Sequence, residues 1–337
     1  MTTAGGERDL VLALSGGVGG AKLVLGLSKI VPPGRLVVVA NTGDDFEHLG
    51  LHVSPDVDTL LYTLAELDNP ETGWGRRNET WTFMAALEAL GGETWFRLGD
   101  GDLATHVERT HRLKSGDRLS SIIADFAHRL GIATRILPMT DDAVRTRVLT
   151  ATGWLDFQRY FVEQQCRPEV EDFAFEGATG AYPHQDFIAS LAEPALRAVV
   201  ICPSNPFISV DPILALPGVR DALLRSTAPI VAVAPIIGGK AVKGPTAKMM
   251  RELGMEVSAV AVAHHYGSLL NGFVLDQTDS VLAAKLSIPT VSTNTLMRSL
   301  SDREYLAKVV LALADRLSDG GGSSGLSCEL GTGSSLS

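Results

Sequence analysis

Four aspartates, Asp44, Asp45, Asp56 and Asp58, fall within fifteen residues of one another. They follow a segment rich in glycine, Ser15-Gly16-Gly17-Val18-Gly19-Gly20-Ala21-Lys22. Glycines permit positive φ and close backbone approach. A helix starting beyond them offers free N–H groups and the positive end of its dipole. Gly16, Gly17, Gly19, Gly20 and Lys22 are therefore candidates for holding a diphosphate. The alternative is a tight strand-to-helix turn with no ligand. Oxygen ligands from aspartate suit Mg2+, which keeps several waters and bridges phosphates. Asp56 and Asp58 have a second reading, because Ser54-Pro55 suits a helix entry where carboxylates are favoured by the dipole. Capping accounts for one aspartate and not for four.

The glycine segment alone does not identify its ligand. A Walker A loop needs Gly-Lys followed by Ser or Thr, and Ala21-Lys22-Leu23 fails that pattern. A dinucleotide fingerprint wants a small residue where Lys22 stands and an acidic residue at the end of the second strand. That place holds Asn41-Thr42-Gly43. Both departures argue against an NAD-dependent oxidoreductase.

Further loops carry candidate groups. Arg97 precedes Leu98-Gly99-Asp100-Gly101-Asp102 and suits bidentate pairing with a phosphate or carboxylate, or a surface ion pair. Ser204 and Asn205 lie in Pro203-Ser204-Asn205-Pro206, after an apolar run. Gly238, Lys240 and Lys243 lie in a Gly-rich loop after another, where the lysines suit a phosphate or a substrate carboxylate, or plain solvation on a turn. His106 and His111 are five apart and miss the i, i+4 metal spacing, while His264 and His265 are adjacent, so both pairs read as ordinary packing or surface residues. Trp74, Trp81 and Trp95 gather near the acidic segments and suit either core packing or stacking on a flat ring. No Gly-x-Ser-x-Gly elbow follows an apolar run.

The elements that must position these groups follow from the apolar pattern. Residues 10–14 and 36–40 read as buried strands joined by a helix over 21–30, which implies a parallel sheet with a right-handed crossover. Helices are expected over 58–67, 79–90, 103–113 and 119–130, the whole stretch 58–130 forming a cap on the sheet. Strands are expected at 133–137, 144–151, 198–202, 230–234 and 257–263, and a closing helix at 303–317. In an open parallel sheet the ligand edge is at the carboxyl ends of the strands, and that is where the glycines, the aspartates and both later loops fall. The fold class is α/β, Rossmann-like, a single domain over 1–317, with 318–337 a Gly/Ser-rich disordered tail.

The chain has 337 residues, 45% of them apolar, enough for a large core. Its net charge is −10 and no basic run is present, which disfavours nucleic acid and membrane surfaces as partners. Three distant cysteines make a disulfide framework or a structural zinc improbable. No apolar run is long enough to span a bilayer and no signal segment is visible, so a cytoplasmic protein is expected. The sequence is compatible with a homodimer and does not specify one.

Six motifs then occur in order. They are Ser15 to Lys22; Asn41-Thr42-Gly43-Asp44-Asp45; Ser54-Pro55-Asp56-Val57-Asp58-Thr59; Leu98-Gly99-Asp100 with Leu103-Ala104-Thr105-His106; Pro203-Ser204-Asn205-Pro206; and Pro235-Ile236-Ile237-Gly238. Over roughly residues 10–317 the chain resembles the 2-phospho-L-lactate transferase family of coenzyme F420 biosynthesis. The resemblance implies a Rossmann-like core, a need for Mg2+, and transfer of a phosphocarboxylate from a guanosine-diphosphate-activated donor. The acceptor it implies is the ribityl hydroxyl of the deazaflavin FO, with GMP leaving. It carries FO contacts onto Asp58 and Arg97, and metal ligation onto Asp45 and Asp58. Many members have Thr-Gly-Thr where this chain has Val18-Gly19-Gly20. Mycobacterial-type enzymes, associated with an enolpyruvyl donor, have Val-Gly-Gly there. That leans toward enolpyruvyl phosphate, with 2-phospholactate and 3-phosphoglycerate as the other donors. A non-catalytic nucleotide-sugar-binding regulator of the same superfamily is the alternative function.

Overall fold

The computed structural model describes residues 8–70 and 73–320. The chain opens with β1 (Leu10–Ser15), α1 (Gly17–Ile30) and β2 (Leu36–Ala40). A small hairpin follows, β3 (Phe46–His48) and β4 (Leu51–Val53), turned at Leu49 and Gly50, both with positive φ. Next come α2 (Pro55–Leu64), α3 (Thr82–Ala89), α4 (Asp100–Lys114), α5 (Leu119–Arg129) and β5 (Arg135–Pro138). An antiparallel three-stranded sheet is built from β6 (Arg145–Thr150), β7 (Gly153–Asp156) and β8 (Asp172–Glu176). After α6 (Gln185–Leu191), the main sheet resumes with β9 (Leu196–Ile201). Then follow α7 (Asp211–Leu214), α8 (Val219–Arg225), β10 (Ile230–Val233) and the hairpin of β11 (Ile236–Ile237) and β12 (Lys240–Ala241). The chain closes with α9 (Thr246–Glu252), α10 (Ala259–Tyr266), β13 (Gly272–Asp276), β14 (Thr290–Thr293) and α11 (Leu300–Ser318).

Seven of these strands make one parallel sheet in the order β14-β13-β10-β9-β1-β2-β5. Helices cover both faces, a Rossmann-like arrangement. Every residue of β1 and β2 is buried, which is why these segments read as unbroken apolar runs. Alternate residues serve opposite layers. Val11, Ala13 and Val38 pack with α1, α2, α5 and α11, whereas Leu12, Leu14, Val37 and Val39 pack toward α8, α9, α10 and the small sheet. Of the stretch 58–130 expected as a cap, α2 and α5 lie within the first layer through Val57, Leu60, Leu61, Leu119 and Ile123. Among the described residues, no helix is long and apolar enough to cross a membrane.

Three expectations change. Residues 257–263 are not a strand; they lie largely in α10. The Ser258 hydroxyl accepts from the Ala261 N–H at 3.1 Å and starts the helix, and the alanines favour it. The strands that flank β10 on its outer side are β13 and β14, which the pattern reading missed. The helix α1 begins at Gly17 rather than Ala21, so Gly19 and Gly20 are helical residues. The expected tail over 318–337 falls mostly on residues 321–337, which lie outside the described residues.

Gly19, Gly20 and Gly26 of α1 are packing glycines. A Cβ at Gly19 would overlap the carbonyl oxygen of Pro203, and one at Gly20 would overlap the hydroxyls of Ser15 and Ser204. A Cβ at Gly26 would overlap the backbone carbonyl of Arg303 in α11, where neither helix can give way cheaply. Overpacking of this kind costs about 1–3 kcal/mol. Gly26→Ala should therefore lower the urea midpoint by that order despite alanine's higher helix propensity, and a midpoint at or above wild type would show that the two helices are not in contact.

Candidate functional site

The strand order reverses between β1 and β9, since β1 leads outward to β2 and β5, and β9 to β10, β13 and β14. Such a switch point leaves a crevice at the carboxyl ends of the strands. Here the loops after β1 and β9 are stitched together. The Ser204 hydroxyl accepts from the Gly16 N–H at 3.1 Å and donates to the Gly16 carbonyl at 2.7 Å. The Asn205 carboxamide caps the next turn, accepting from the Phe207 N–H at 3.0 Å. The Gly17 N–H, at φ +62°, donates to Asp56 Oδ1 at 2.6 Å. Two amides of the glycine segment are thus bonded within the protein.

Three carboxylates, Asp44, Asp45 and Asp56, converge from the end of β2 and the start of α2. Asn41, at the end of β2, donates to Asp44 Oδ1 at 2.9 Å, to Asp56 Oδ2 at 3.0 Å and to the Ile208 carbonyl at 3.1 Å. Asp45 Oδ2 accepts from the Ser54 hydroxyl at 2.8 Å and lies 3.1 Å from His52 Nε2 on β4. Asp45 Oδ1 is buried with no hydrogen-bond partner. Burial, with Asp56 and Asp45 beside it, pushes the Asp44 carboxyl well above the usual range. Burial likewise raises Asp56 to about 6, Asp45 adding to the effect while Asn41 and Gly17 oppose it. An orphaned carboxylate oxygen among crowded carboxylates fits a divalent cation.

Asp58, on α2, faces differently. Its Oδ2 accepts from Arg109 Nη1 at 3.1 Å and its Oδ1 accepts from Arg109 Nη2. Arg109 is on α4 and is fully buried. One turn earlier, His106 Nε2 lies 3.2 Å from Asp102 Oδ2, and its Nδ1 lies 3.7 Å from Asp58 Oδ2. The Tyr62 hydroxyl donates to Asp102 Oδ1 at 2.6 Å. Burial alone would raise the Asp102 carboxyl, yet His106, Tyr62 and Arg109 hold it below its usual pKa. Asp58, Asp102 and His106 each offer an atom within 4.8 Å of the others, so they too are a set able to hold a cation. His106 and Arg109 were missed in the sequence reading, which tested His106 only against His111. The signal was present: Asp102, His106 and Arg109 fall at i, i+4 and i+7 on one helix face.

The position of α4 is set by reciprocal capping. Glu79 accepts from the N–H groups of Gly101 and Asp102 at 2.7 and 2.8 Å. Asp100 accepts from the Thr80 hydroxyl and from the Phe83 N–H at the start of α3. Asp100 is therefore a cap, as its place at a helix entry allows. Arg97 is exposed and its guanidinium lies 4.2 Å over the Trp81 ring. The preceding Trp95 and Phe96 pack on Phe46 and His48 of the β3–β4 hairpin, which ties Arg97 to the element that follows Asp45.

The remaining candidates separate. Lys22 Nζ donates to the Met297 carbonyl at 3.3 Å. Burial, then the charges of Arg303 and Lys243, hold Lys22 below its usual pKa, while Asp68 acts in the opposite sense. Lys22, Lys243 and Arg303 thus form a cationic face beside α1. Gly238 and Gly239, at φ +56° and +70°, form the two-residue turn of the β11–β12 hairpin. Lys240 is exposed on that hairpin. A groove of about 750 Å³ runs along the outer edge strand β5, lined by Arg118, Asp142 and His184 among others, and none of the candidate residues lines it.

A family model described as 2-phospho-L-lactate transferase CofD matches residues 11–327. A phosphoenolpyruvate transferase of Kitasatospora aureofaciens is 37% identical over 320 residues, spanning 92% of this chain and 99% of the relative. A 2-phospho-L-lactate transferase of Methanocaldococcus jannaschii is 36% identical over 312 residues, spanning 91% and 99%. Among solved structures, a upf0052 family protein of Bacillus halodurans superposes with a TM-score of 0.61 at 15% identity, covering 91% of this chain and all of that one. That last likeness speaks to the fold alone.

The raised pKa of Asp56 has a readable consequence. An acid with a folded pKa of about 6 and an unfolded value near ~3.9 binds its proton more tightly when folded. Its contribution to stability therefore falls as pH rises through that window. The stability of wild type minus that of Asp56→Asn should decline from about pH 4 to about pH 6 and level off above it. A difference independent of pH, measured by urea denaturation, would show that folding does not raise the pKa of this carboxyl.

Proposed function

The chain belongs to the 2-phospho-L-lactate transferase CofD family, and from that premise we propose that it moves a phosphocarboxylate from a guanosine-diphosphate-linked donor to the ribityl hydroxyl of the deazaflavin FO, releasing GMP, in coenzyme F420 biosynthesis. The observation that carries this reading is the acidic centre at the switch point, where Asp45 presents a buried, unbonded oxygen beside Asp44 and Asp56. A protein that only bound a nucleotide sugar would have no use for such a centre.

Mg2+ is the proposed cofactor, with Asp45 and Asp58 as its carboxylates. Asp45 Oδ1 is open to it, whereas both oxygens of Asp58 are engaged by Arg109. Bound there, the ion would supply charge neutralisation on the donor diphosphate. Lys22 and Lys243 draw the anionic donor toward the N-terminal part of α1 by their charge. Arg97, laid over Trp81, offers a cationic and aromatic surface for the flat deazaflavin. The acceptor hydroxyl oxygen forms a bond to the phosphorus that carries the carboxylic fragment. The bond from that phosphorus to the bridging oxygen breaks, GMP departs with the electron pair, and the hydroxyl proton is released. Positioning and fixed charge supply most of the rate in such transfers.

The donor acid is proposed to be enolpyruvyl phosphate. The support is local, since Gly20 is packed against Ser15 and Ser204 and leaves no room for the threonine of the Thr-Gly-Thr pattern. The direct experiment incubates the protein with FO, Mg2+ and each of three guanylyl donors (enolpyruvyl, lactyl and glyceryl), and follows GMP by chromatography. The enolpyruvyl donor is expected to be fastest, and no GMP from any donor would sink the transferase reading. Asp45→Asn should lose about 10²-fold or more in turnover while keeping its far-UV spectrum, the scale for removing one fixed electrostatic group from a reacting centre. Lys22→Ala should raise the donor KM by about tenfold, equivalent to about 1.4 kcal/mol of lost binding.

A further inference from the structure

We propose that Arg109 is a built-in counter-cation that competes with the divalent ion for Asp58 and so sets how tightly the site binds metal. The inference rests on the assignment of Asp45 and Asp58 to the ion and extends it to a residue with no assigned role. Three observations support it. Arg109 engages both Asp58 oxygens, in a pair where Arg109 is fully buried and the Asp58 side chain is only 7% exposed. Arg109 Nη1 also lies 3.4 Å from the His52 carbonyl, and the His52 ring lies 3.1 Å from Asp45 Oδ2. The guanidinium therefore holds Asp58 directly, and the charge of Asp45 also acts on it. Finally, Arg109 Nε is buried with no partner.

The unmet Nε–H matters because a buried ion pair is weak evidence for stability unless every donor is satisfied. A pair retained in that condition points to a role in handling charge. Arginine suits the role because it does not lose its proton inside a protein, so its charge stays on Asp58 until another cation displaces it. Two cations sharing one carboxylate repel each other. Arg109 thus offsets part of the repulsion among these buried carboxylates and lowers their affinity for a further cation. It is a positioning residue, since nothing places it on the substrate.

The test uses Mn2+ alone as a spectroscopic probe, titrated into the full chain and read by electron paramagnetic resonance. The arms are wild type, Arg109→Gln, Arg109→Lys, Asp45→Asn, Asp58→Asn and the Asp58→Asn/Arg109→Gln pair. Arg109→Gln is expected to bind Mn2+ about tenfold tighter than wild type, a small part of the repulsion between adjacent like charges. Arg109→Lys, which keeps the charge, should stay close to wild type. The gain should vanish in the Asp58→Asn background. Binding by Arg109→Gln that equals or falls below wild type overturns the inference. If neither Asp45→Asn nor Asp58→Asn weakens Mn2+ binding, the metal assignment falls and takes this inference with it. Wild-type binding that depends on those carboxylates but does not respond to Arg109 overturns the inference alone. Should Arg109→Gln be unfolded in metal-free buffer, recovery of far-UV ellipticity on adding Mn2+ supports the competition, and lack of recovery overturns it.

Discussion

Asn41 is the side chain on which the centre depends. Its amide reaches Asp44, Asp56 and the Ile208 carbonyl, and its oxygen accepts from the Gly43 N–H at 2.8 Å. One carboxamide therefore joins the end of β2, the start of α2 and the segment after β9. A charged donor in its place would neutralise the aspartates, and an acceptor would repel them. A neutral donor holds them together without adding a counter-charge. Such crowding is stable only where the surrounding backbone is rigid, and the burial of every residue in β1 and β2 provides that rigidity.

The family relationship and the geometry constrain different things. Whole-length likeness to transferases for two different phosphocarboxylates establishes the family and leaves the donor to be decided by local packing. Around Gly20 that packing comes from the hydroxyls of Ser15 and Ser204, at the ends of β1 and β9. The fold neighbour at 15% identity shows that the architecture persists while most of the sequence changes.

Much of the frame was legible in the sequence. Unbroken apolar runs flanked by glycines located β1, β2, β9 and β10, and the edge at which the aspartates gather. The misreading of α10 came from alternation of valine and alanine, which serves a strand or a buried helix equally until Ser258 is seen as a cap. The strand β14 was obscured because it is only partly buried and carries threonine and serine, and β13, though buried, offers only Phe273-Val274-Leu275 between Gly272 and Asp276. In the site, Asp44, Asp45, Asp56 and Asp58 stood out by density. Their sorting into a cluster around Asn41 and an ion pair with Arg109 was not legible, because it depends on α4 crossing from fifty residues away. Likewise, the glycines after β1 suggested a ligand cradle, and the close approach of the Pro203 carbonyl to Gly19 and of side chains to Gly16 and Gly20 was not legible there.

The strand order has a consequence for how the molecule is made. β1 lies at the middle of the sheet, yet its neighbour β9 begins at Leu196. A chain emerging from the ribosome therefore carries an apolar strand with one open edge until more than half of the polypeptide has followed. Pairings of such long sequence separation form slowly, and an unpaired apolar edge invites association with other chains. Among the strands of the main sheet, the one at its middle is the one that waits longest for a partner, and a chaperone that shields open strand edges would act on it first.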